Sequence, residues 1–356
     1  MLPDGSKLWS RYAHWESTTV KVGDIIVRGQ SLGVIGNASG TLPYHLHFDI
    51  SKKDLGLLPS DWPGMDLVRL KTDYVDPKVF IKSYHASPAV TVKAGLHMAA
   101  RGGDQLPVDW QAFDTAKLQV IKFLSNHALS DIQAGVQRVG ASNVYFRMYA
   151  DPSDPAMQSG TTFFSVHRGW LDQLYALGVT KWEIGNEPNT DLESGNWLWW
   201  NGASAFANWY RACAKLIRLY YPKAQIMWPG LSPQPNVPAW IAELKTLIAE
   251  RLVDLIGCHS YWQFYGSGTY GIDAVEDGGL HYTKYLGLGR PVVITEASNN
   301  SFNVDFTQKG YQYNYYLKRI PAGVEAVLFF VSSTANLSYG SEAWAGTSIP
   351  SIVGSR

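Results

Sequence analysis

Two glutamates stand where their carboxyl groups could carry out acid–base chemistry together. Glu187 directly follows the run Lys181–Asn186, and Glu296 ends the run Val292–Glu296. Both runs are short, apolar and contain β-branched residues, which predicts strands that carry the carboxyl groups at their ends. Hydrolysis of a glycosidic bond needs a proton for the leaving oxygen and either a nucleophile or an activated water, and two carboxyl groups supply both. We therefore predict Glu187 as the acid and Glu296 as its partner.

The elements that would position this pair alternate between strands and helices. Helical patterns of apolar residues occur at Asp131–Val139, Leu171–Leu177, Ala203–Tyr220 and Ala239–Ala249. Eight strands are predicted near Thr91–His97, Leu118–Leu124, Val144–Tyr149, Lys181–Asn186, Gln225–Pro229, Leu255–Ser260, Val292–Glu296 and Ala326–Val331. This alternation predicts an α/β fold, a (β/α)8 TIM barrel over residues 91–356, with strands four and seven facing each other across its open face.

The first part of the chain has a different texture. Residues 1–84 contain short alternating runs separated by glycine and asparagine turns, which predicts a small all-β module. Residues 85–90 are predicted to be a linker between this module and the barrel.

Asn186-Glu187-Pro188 stands at the end of predicted strand four, Glu296 ends strand seven, and His259 and Tyr261 stand at the end of strand six. Together these motifs resemble those of the clan A retaining glycoside hydrolases. The resemblance spans roughly residues 90–335. It implies that Glu187 is the acid/base, that Glu296 is the nucleophile and that Asn186 binds the sugar 2-hydroxyl. It also implies that Tyr261 is the partner of Glu296 and that His259 lines the site.

Other candidate residues stand near the predicted strand ends. Arg147, at the end of strand three, could reach the nucleophile and keep it ionised. The clan usually has a tryptophan at the end of strand eight, but this chain has Phe329–Ser333 there. Trp344, in the next loop, is the candidate substitute, and Trp228 and Trp262 are further candidate platforms for a sugar ring. Packing in the core is the alternative for each of these tryptophans.

Four motifs stand in order in the first fifty residues: Tyr12-Ala13-His14, Val20–Asp24, Gly29–Asn37 and His45–Ile50. Together they resemble the motifs of the lysostaphin-type (LytM-like) zinc endopeptidases, which cut peptidoglycan cross-bridges. The resemblance implies that His47 is a zinc ligand and that His14 and His45 position the water and the substrate.

The remaining two zinc ligands of that family, a His and an Asp before the Tyr-Ala-His motif, have no counterpart here. A catalytic zinc needs three protein ligands. We therefore expect a truncated, partial peptidase fold with vestigial His14, His45 and His47, without peptidase activity and without a cofactor. Either the chain begins inside this domain, or the remnant is a platform for the barrel. An adventitious metal on the three histidines stays an alternative.

Composition limits the partners. The chain of 356 residues has 30 basic and 30 acidic side chains, so it lacks the net positive charge typical of nucleic-acid binding. No apolar run reaches the roughly 18 residues of a membrane span. Cys213 and Cys258 do not suggest a disulfide framework. The amino terminus does not resemble a signal peptide, and an extracellular or cell-envelope location is expected for the full-length gene product.

These patterns predict a glycosidase that takes a carbohydrate substrate. The peptidase-like module suggests that the substrate is a bacterial cell-wall polysaccharide or an exopolysaccharide. This inference rests only on the presence of that module in the same chain. A carbohydrate-binding barrel without turnover is the first alternative, and a zinc endopeptidase is a second, disfavoured one. The sugar, the linkage, the anomer and the oligomeric state stay open.

Overall fold

The structure is a computed structural model. It describes residues 7–22, 24, 32–54, 62–80, 92–99, 104–149, 154, 157–190, 200–335 and 337–355. The chain separates into two compact units, Met1–Val90 and Thr91–Arg356. The predicted linker, residues 85–90, lies outside the described residues.

The first unit contains two small antiparallel sheets. Its strands are β1 (Trp9–Ala13), β2 (Trp15–Thr18), β3 (Gly33–Ile35), β4 (His47–Ser51) and β5 (Tyr74–Val75). One sheet has the order β1-β4-β5, and β2 pairs with β3. This confirms the predicted β module.

The first unit also has a short helix, α1 (Leu67–Asp73), where the sequence shows no helical period. The Asp66 side chain accepts hydrogen bonds from the backbone N–H groups of Val68 and Arg69. A cap of this kind stabilises a first turn that propensity alone would not specify.

The second unit is a closed barrel of eight parallel strands, which confirms the predicted fold class. In barrel order the strands run from β6 to β13, and β13 closes on β6. Their bounds are β6 (Lys93–His97), β7 (Val120–Leu124), β8 (Val144–Met148), β9 (Lys181–Ile184), β10 (Gln225–Trp228), β11 (Leu255–Trp262), β12 (Val292–Asn299) and β13 (Val324–Phe329).

Helices connect most of these strands. The α-helices are α2 (Pro107–Thr115), α3 (Leu129–Val139), α4 (Gly160–Ala176), α5 (Ala203–Tyr220), α6 (Val237–Ala249), α7 (Phe306–Leu317) and α8 (Ile349–Gly354). The fully described connection from β11 to β12 has a 3-10 helix, His281–Tyr285, in place of an α-helix. Within the described ranges, none of the helices combines the length and the apolar content that crossing a bilayer requires.

Apolar packing surrounds and fills the barrel. The larger core cluster joins the outer faces of the strands to the helices. A smaller cluster consists of Val120, Tyr145, Met227, Leu255, Val293, Ala326 and Leu328. Side chains two positions further along the strands include Lys122 after Val120 and Arg147 after Tyr145. Since strand side chains alternate between faces, these charged groups share the interior face and lie nearer the carboxyl ends.

A bulge in β12 changes which residues face the barrel interior. Cys258 pairs with Ile294 but His259 pairs with Glu296, so Thr295 is an extra residue in β12. Ile294 lies in the outer core cluster. In a strand without a bulge, Glu296 would share the outward face of Ile294, because faces alternate with a period of two. The bulge therefore directs Glu296 inward.

Candidate active site

Glu296 projects into the barrel interior from β12 and lies among cations and hydrogen-bond donors. Arg147 donates from Nη1 to its Oε1 at 2.7 Å, and the Tyr261 hydroxyl donates to its Oε2 at 2.5 Å. Lys122 Nζ lies 3.5 Å from Oε1, and His97 Nε2 lies 3.7 Å from it. These contacts come from β6, β7, β8 and β11, so four other strands converge on one carboxylate.

This environment keeps Glu296 ionised. Burial alone raises the pKa of a carboxyl group, because water no longer solvates the charge. The positive charges of His259, Lys122 and Arg147 outweigh burial and hold the pKa of Glu296 well below its usual range. A carboxylate in this state can act as a nucleophile at neutral pH.

Glu187 follows β9 and has an unusual backbone conformation. Its φ is +35°, in the left-handed region that residues other than glycine rarely adopt. Its N–H donates to the carbonyl of Gly230 at 3.0 Å, and its carbonyl accepts from the N–H of Thr190 at 3.0 Å. The side chain is 22% exposed, compared with 6% for Glu296. Glu187 is thus the more solvent-accessible of the two carboxyl groups.

His259 lies between the two glutamates. Its Nδ1 is 2.6 Å from Oε1 of Glu187 and 3.8 Å from Oε2 of Glu296. These two carboxylate oxygens are therefore at most 6.4 Å apart, the sum of the two distances. Burial lowers the pKa of His259, but the charges of Glu296 and Glu187 outweigh it and raise that pKa above its usual value.

Gly230 passes so close to the His259 ring that no side chain fits between them. A Cβ at residue 230 would lie 2.2 Å from Nε2 and Cδ2 of His259 and 2.7 Å from Oγ1 of Thr295. Real Cβ atoms do not approach so closely. A glycine is required here because the β10 end passes directly against the ring.

The structure brings together six of the residues named from the sequence. Arg147 Nη1 donates to Oδ1 of Asn186 at 2.5 Å as well as to Glu296. Together with the contacts above, these hydrogen bonds and the 3.8 Å ion pair between His259 and Glu296 connect all six members in one cluster. The cluster consists of Arg147, Asn186, Glu187, His259, Tyr261 and Glu296.

The three candidate tryptophan platforms do not lie open to a substrate. Trp228, Trp262 and Trp344 are all 0% exposed and belong to the outer core cluster. Trp262 stacks on Tyr316, and Trp344 stacks on Tyr313 with ring centroids 5.2 Å apart. Burial in the core corrects their assignment as sugar platforms, because large aromatic side chains stabilise the packing between strands and helices.

The aromatic residue that lies near the carboxylates at the end of β13 is Phe330. Its ring centroid is 5.3 Å from that of His97, and Nε2 of His97 lies 3.7 Å from Oε1 of Glu296. The peptide bond between Phe330 and Val331 is cis.

Sequence patterns did not identify four further ionisable residues at the site. Three of them lie on strands: His97, Lys122 and Glu183. An alternation of polar and apolar residues does not tell whether the polar face of a strand lies on the surface or inside the barrel. Glu342 lies in the 3-10 helix Leu337–Glu342. Burial raises the pKa of Glu342 to about 7, and the negative charge of Glu296 adds to this rise. The only available signal was a charged residue at an inward strand position, such as Lys122 two residues after Val120.

The histidines of the first unit lie near one another. The ring centroid of His14 is 4.6 Å from that of His45 and 5.9 Å from that of His47. Across the described ranges, no group of three or more His, Cys, Asp or Glu side chains is placed to hold a metal ion. The described residues thus do not fit a catalytic zinc, which needs three protein ligands.

Comparisons with known proteins match each unit separately. The model of Peptidase family M23 matches residues 1–59. Comparison with curated proteins gives no match. A solved structure similar to this chain is a GH128 (subgroup III) curdlan-specific exo-β-1,3-glucanase from Blastomyces gilchristii. It has a TM-score of 0.50 and 16% identity, with 74% of this chain and 98% of that chain covered.

Two other solved structures have lower TM-scores. A glucosidase from Croceicoccus marinus has a TM-score of 0.47 and 13% identity over 71% of this chain, and this chain spans 66% of its length. N2152 from Neocallimastix frontalis has a TM-score of 0.45 and 17% identity over 65% of this chain, and this chain spans 57% of its length. The chain is thus similar to peptidase family M23 in residues 1–59, and it shares its fold with the Blastomyces gilchristii glucanase.

Proposed function

We propose that the barrel hydrolyses O-glycosidic bonds of a polysaccharide with retention of the anomeric configuration. Glu187 is the acid/base and Glu296 is the nucleophile. The supporting observation is that an oxygen of Glu187 and an oxygen of Glu296 lie at most 6.4 Å apart, because both are close to Nδ1 of His259. Carboxyl groups about 5–5.5 Å apart are typical of retaining enzymes, and separations of about 6.5–9.5 Å are typical of inverting ones.

In the first step, an Oε atom of Glu296 attacks the anomeric carbon and forms a C–O bond. The bond from that carbon to the leaving oxygen breaks, and the leaving oxygen takes a proton from Glu187. Arg147 and Tyr261 hold the Glu296 carboxylate during the attack, because both donate hydrogen bonds to it. The product of this step is a glycosyl ester on Glu296.

In the second step, a water molecule attacks the anomeric carbon and transfers a proton to Glu187. Glu296 departs as a carboxylate, which its cationic surroundings stabilise. The 2.6 Å contact between Glu187 and His259 holds the Glu187 carboxyl in one orientation through both steps. Asn186, fixed by its bond from Arg147, is placed to bind the sugar 2-hydroxyl.

Exposed aromatic residues on the loops after the strands are better candidates for sugar contacts than the buried tryptophans. Each of these residues is at least 41% exposed, so a sugar can pack against its ring. They are Phe264, Tyr265 and Tyr270 after β11, Phe302 after β12, and Tyr339 after β13.

The proposed substrate class is a bacterial cell-wall glycan or an exopolysaccharide, which the match of residues 1–59 to peptidase family M23 favours. Curdlan belongs among the first substrates to test, since the similar Blastomyces gilchristii structure is curdlan-specific.

A polysaccharide panel with detection of new reducing ends tests the activity. A 2-fluoroglycoside of the cleaved sugar then tests the mechanism by intact mass. We expect a covalent adduct that maps to Glu296 and is absent from Glu296→Gln. Glu243→Gln, on helix α6, is the matched control and should form the adduct as wild type does. Binding of oligosaccharide without hydrolysis by the wild-type protein would contradict the proposal and favour a carbohydrate-binding barrel.

A further inference from the structure

Lys122 is a buried cation that contacts two carboxylates. Its side chain is 1% exposed, and its Nζ lies 2.8 Å from Oε2 of Glu183 and 3.5 Å from Oε1 of Glu296. The same Nζ donates to the carbonyl of Thr295, the bulge residue, at 3.3 Å. Lys122 thus approaches the proposed nucleophile from inside the barrel, at an almost fully buried position.

Glu183 is buried as well and is held by a backbone hydrogen bond. Its side chain is also 1% exposed, and its Oε1 accepts a hydrogen bond from the N–H of Gly230 at 3.0 Å. The carbonyl of the same Gly230 accepts from the N–H of Glu187. The pair of Lys122 and Glu183 therefore lies between the backbone that carries the proposed acid and the carboxylate of the proposed nucleophile.

Stability alone does not explain this pair. Replacing a buried ion pair by well-packed hydrophobic side chains of similar volume is often neutral or stabilising. Removing one partner, in contrast, leaves an uncompensated buried charge and is strongly destabilising. The location beside Glu296 offers another reason for the pair.

We propose that Lys122 and Glu183 form a fixed ion pair that balances the charge of Glu296 through the reaction cycle. Both are positioning residues, and the inference rests on the proposed retaining function. Lys122 stabilises Glu296 as a carboxylate before attack and as it departs. Glu183 stabilises Lys122 in the intermediate, when Glu296 is a neutral ester and no longer offsets the lysine charge.

The distances agree with this division of roles. The shorter contact, 2.8 Å, joins Lys122 to Glu183, whose charge does not change in either step. The longer contact, 3.5 Å, joins Lys122 to Glu296, whose charge is lost and regained. If Glu296 were the sole partner of Lys122, ester formation would leave a lone buried cation, which is costly.

Other ionisable groups also act on Glu296, so the test must isolate the pair. They are His97 from β6, Arg147 from β8, Glu187 after β9, His259 and Tyr261 from β11, and Glu342 after β13.

The test variant is the double substitution Lys122→Met with Glu183→Gln, which removes both charges together and preserves the side-chain volume. The readout is the pKa of Glu296 from the 13C carboxyl shift of labelled glutamate, assigned by its loss in Glu296→Gln. We expect this pKa to rise by about one unit or more, because a buried cation within 4 Å has been removed. Lys122→Gln with Glu183→Gln, a neutral amide pair, is measured if the first variant does not fold.

The control is a partly buried ion pair elsewhere in the barrel. Lys181 bonds to Glu325 near the amino ends of the strands, where Tyr145 also donates to Glu325. Lys181→Met with Glu325→Gln should leave the pKa of Glu296 unchanged. An unchanged pKa in both double variants, or an equal change in both, would overturn the inference.

A kinetic arm uses the cleaved glycoside. Glu183→Gln leaves Lys122 with Glu296 as its sole carboxylate partner, so the first step should slow relative to the second. The double variant lacks the cation, so the second step should slow and the intermediate should accumulate in a pre-steady-state burst. Equal slowing of both steps in both variants would count against the inference. If wild type cleaves no substrate, the proposed function fails while the NMR titration still decides the charge role.

Discussion

Tyr261 donates a 2.5 Å hydrogen bond to Glu296 across the boundary between β11 and β12. The strand register pairs Glu296 with His259 and pairs Tyr261 with Ser298. Tyr261 therefore reaches the carboxylate from two pairs nearer the open face of the barrel. The bond fixes the oxygen opposite to the one that Arg147 contacts.

Removal of this bond should weaken the nucleophile's positioning. We expect Tyr261→Phe to lower kcat/KM about 10- to 100-fold, because a hydrogen bond to a charged group contributes about 1.5–3 kcal/mol. Tyr311→Phe, at an exposed position of α7, is the control and should retain wild-type kinetics. Equal kinetics for the two variants would show that the bond has no role in turnover.

The acid role of Glu187 predicts a dependence on the leaving group. Glu187→Gln should lower the rate for poor leaving groups by about 10²–10⁴-fold, the typical contribution of general acid catalysis. Aryl glycosides with acidic phenols need no proton, so the formation of their glycosyl-enzyme should change much less. A uniform loss across the series would assign Glu187 another role.

Gly230 should tolerate no side chain. Gly230→Ala would force the His259 ring to move, since the new Cβ would lie 2.2 Å from it. We expect at least a tenfold loss of kcat/KM, about 1.4 kcal/mol of transition-state stabilisation. Gly169→Ala is the matched control, because nothing lies within 4 Å of its Cβ position in α4. Wild-type activity in Gly230→Ala would contradict the role of the tight contact with His259.

The raised pKa of Glu342 predicts that the stability of the protein depends on pH. Its folded pKa of about 7 lies above the ordinary value of 4.5, so the folded state favours the protonated carboxyl. That contribution is fully present below pH 4.5 and is lost as pH rises through 7. Between acidic and neutral pH, the free energy of unfolding of Glu342→Gln should therefore rise by up to about 3 kcal/mol relative to that of wild type. Urea unfolding of both proteins at several pH values measures this difference, and parallel pH profiles would refute it.

Substitutions at Trp344 and Phe302 should distinguish a residue that packs in the core from one that contacts substrate. Trp344 is 0% exposed, and its truncation to alanine should cost about 3–5 kcal/mol of unfolding free energy. Phe302 is 73% exposed, so Phe302→Ala should leave stability within about 0.5 kcal/mol and raise KM for a polymer. Thermal melts and polymer kinetics on both variants provide the measurements. A raised polymer KM in a stably folded Trp344→Phe variant would restore Trp344 as a sugar contact.

Much of the fold follows from local patterns. The eight strands and the longer helices were predictable because β-branched runs and a helical period of apolar residues are local signals. The second and fifth predicted strands, for example, form as Val120–Leu124 and Gln225–Trp228. The helix Leu67–Asp73 was missed, because a seven-residue helix shows barely two turns of periodicity.

The sequence by itself placed Glu187 after one strand of a barrel and Glu296 on another, because strand order needs only local patterns. The prediction that Glu296 ends its strand was wrong, since β12 continues to Asn299. Only the tertiary structure decided which way Glu296 points. The extra residue Thr295 reverses the alternation of faces, and a register shift is defined only against neighbouring strands. Tertiary packing likewise placed Lys122 against Glu183 and buried Trp344, since contacts between distant strands and helices leave no periodic trace along the chain.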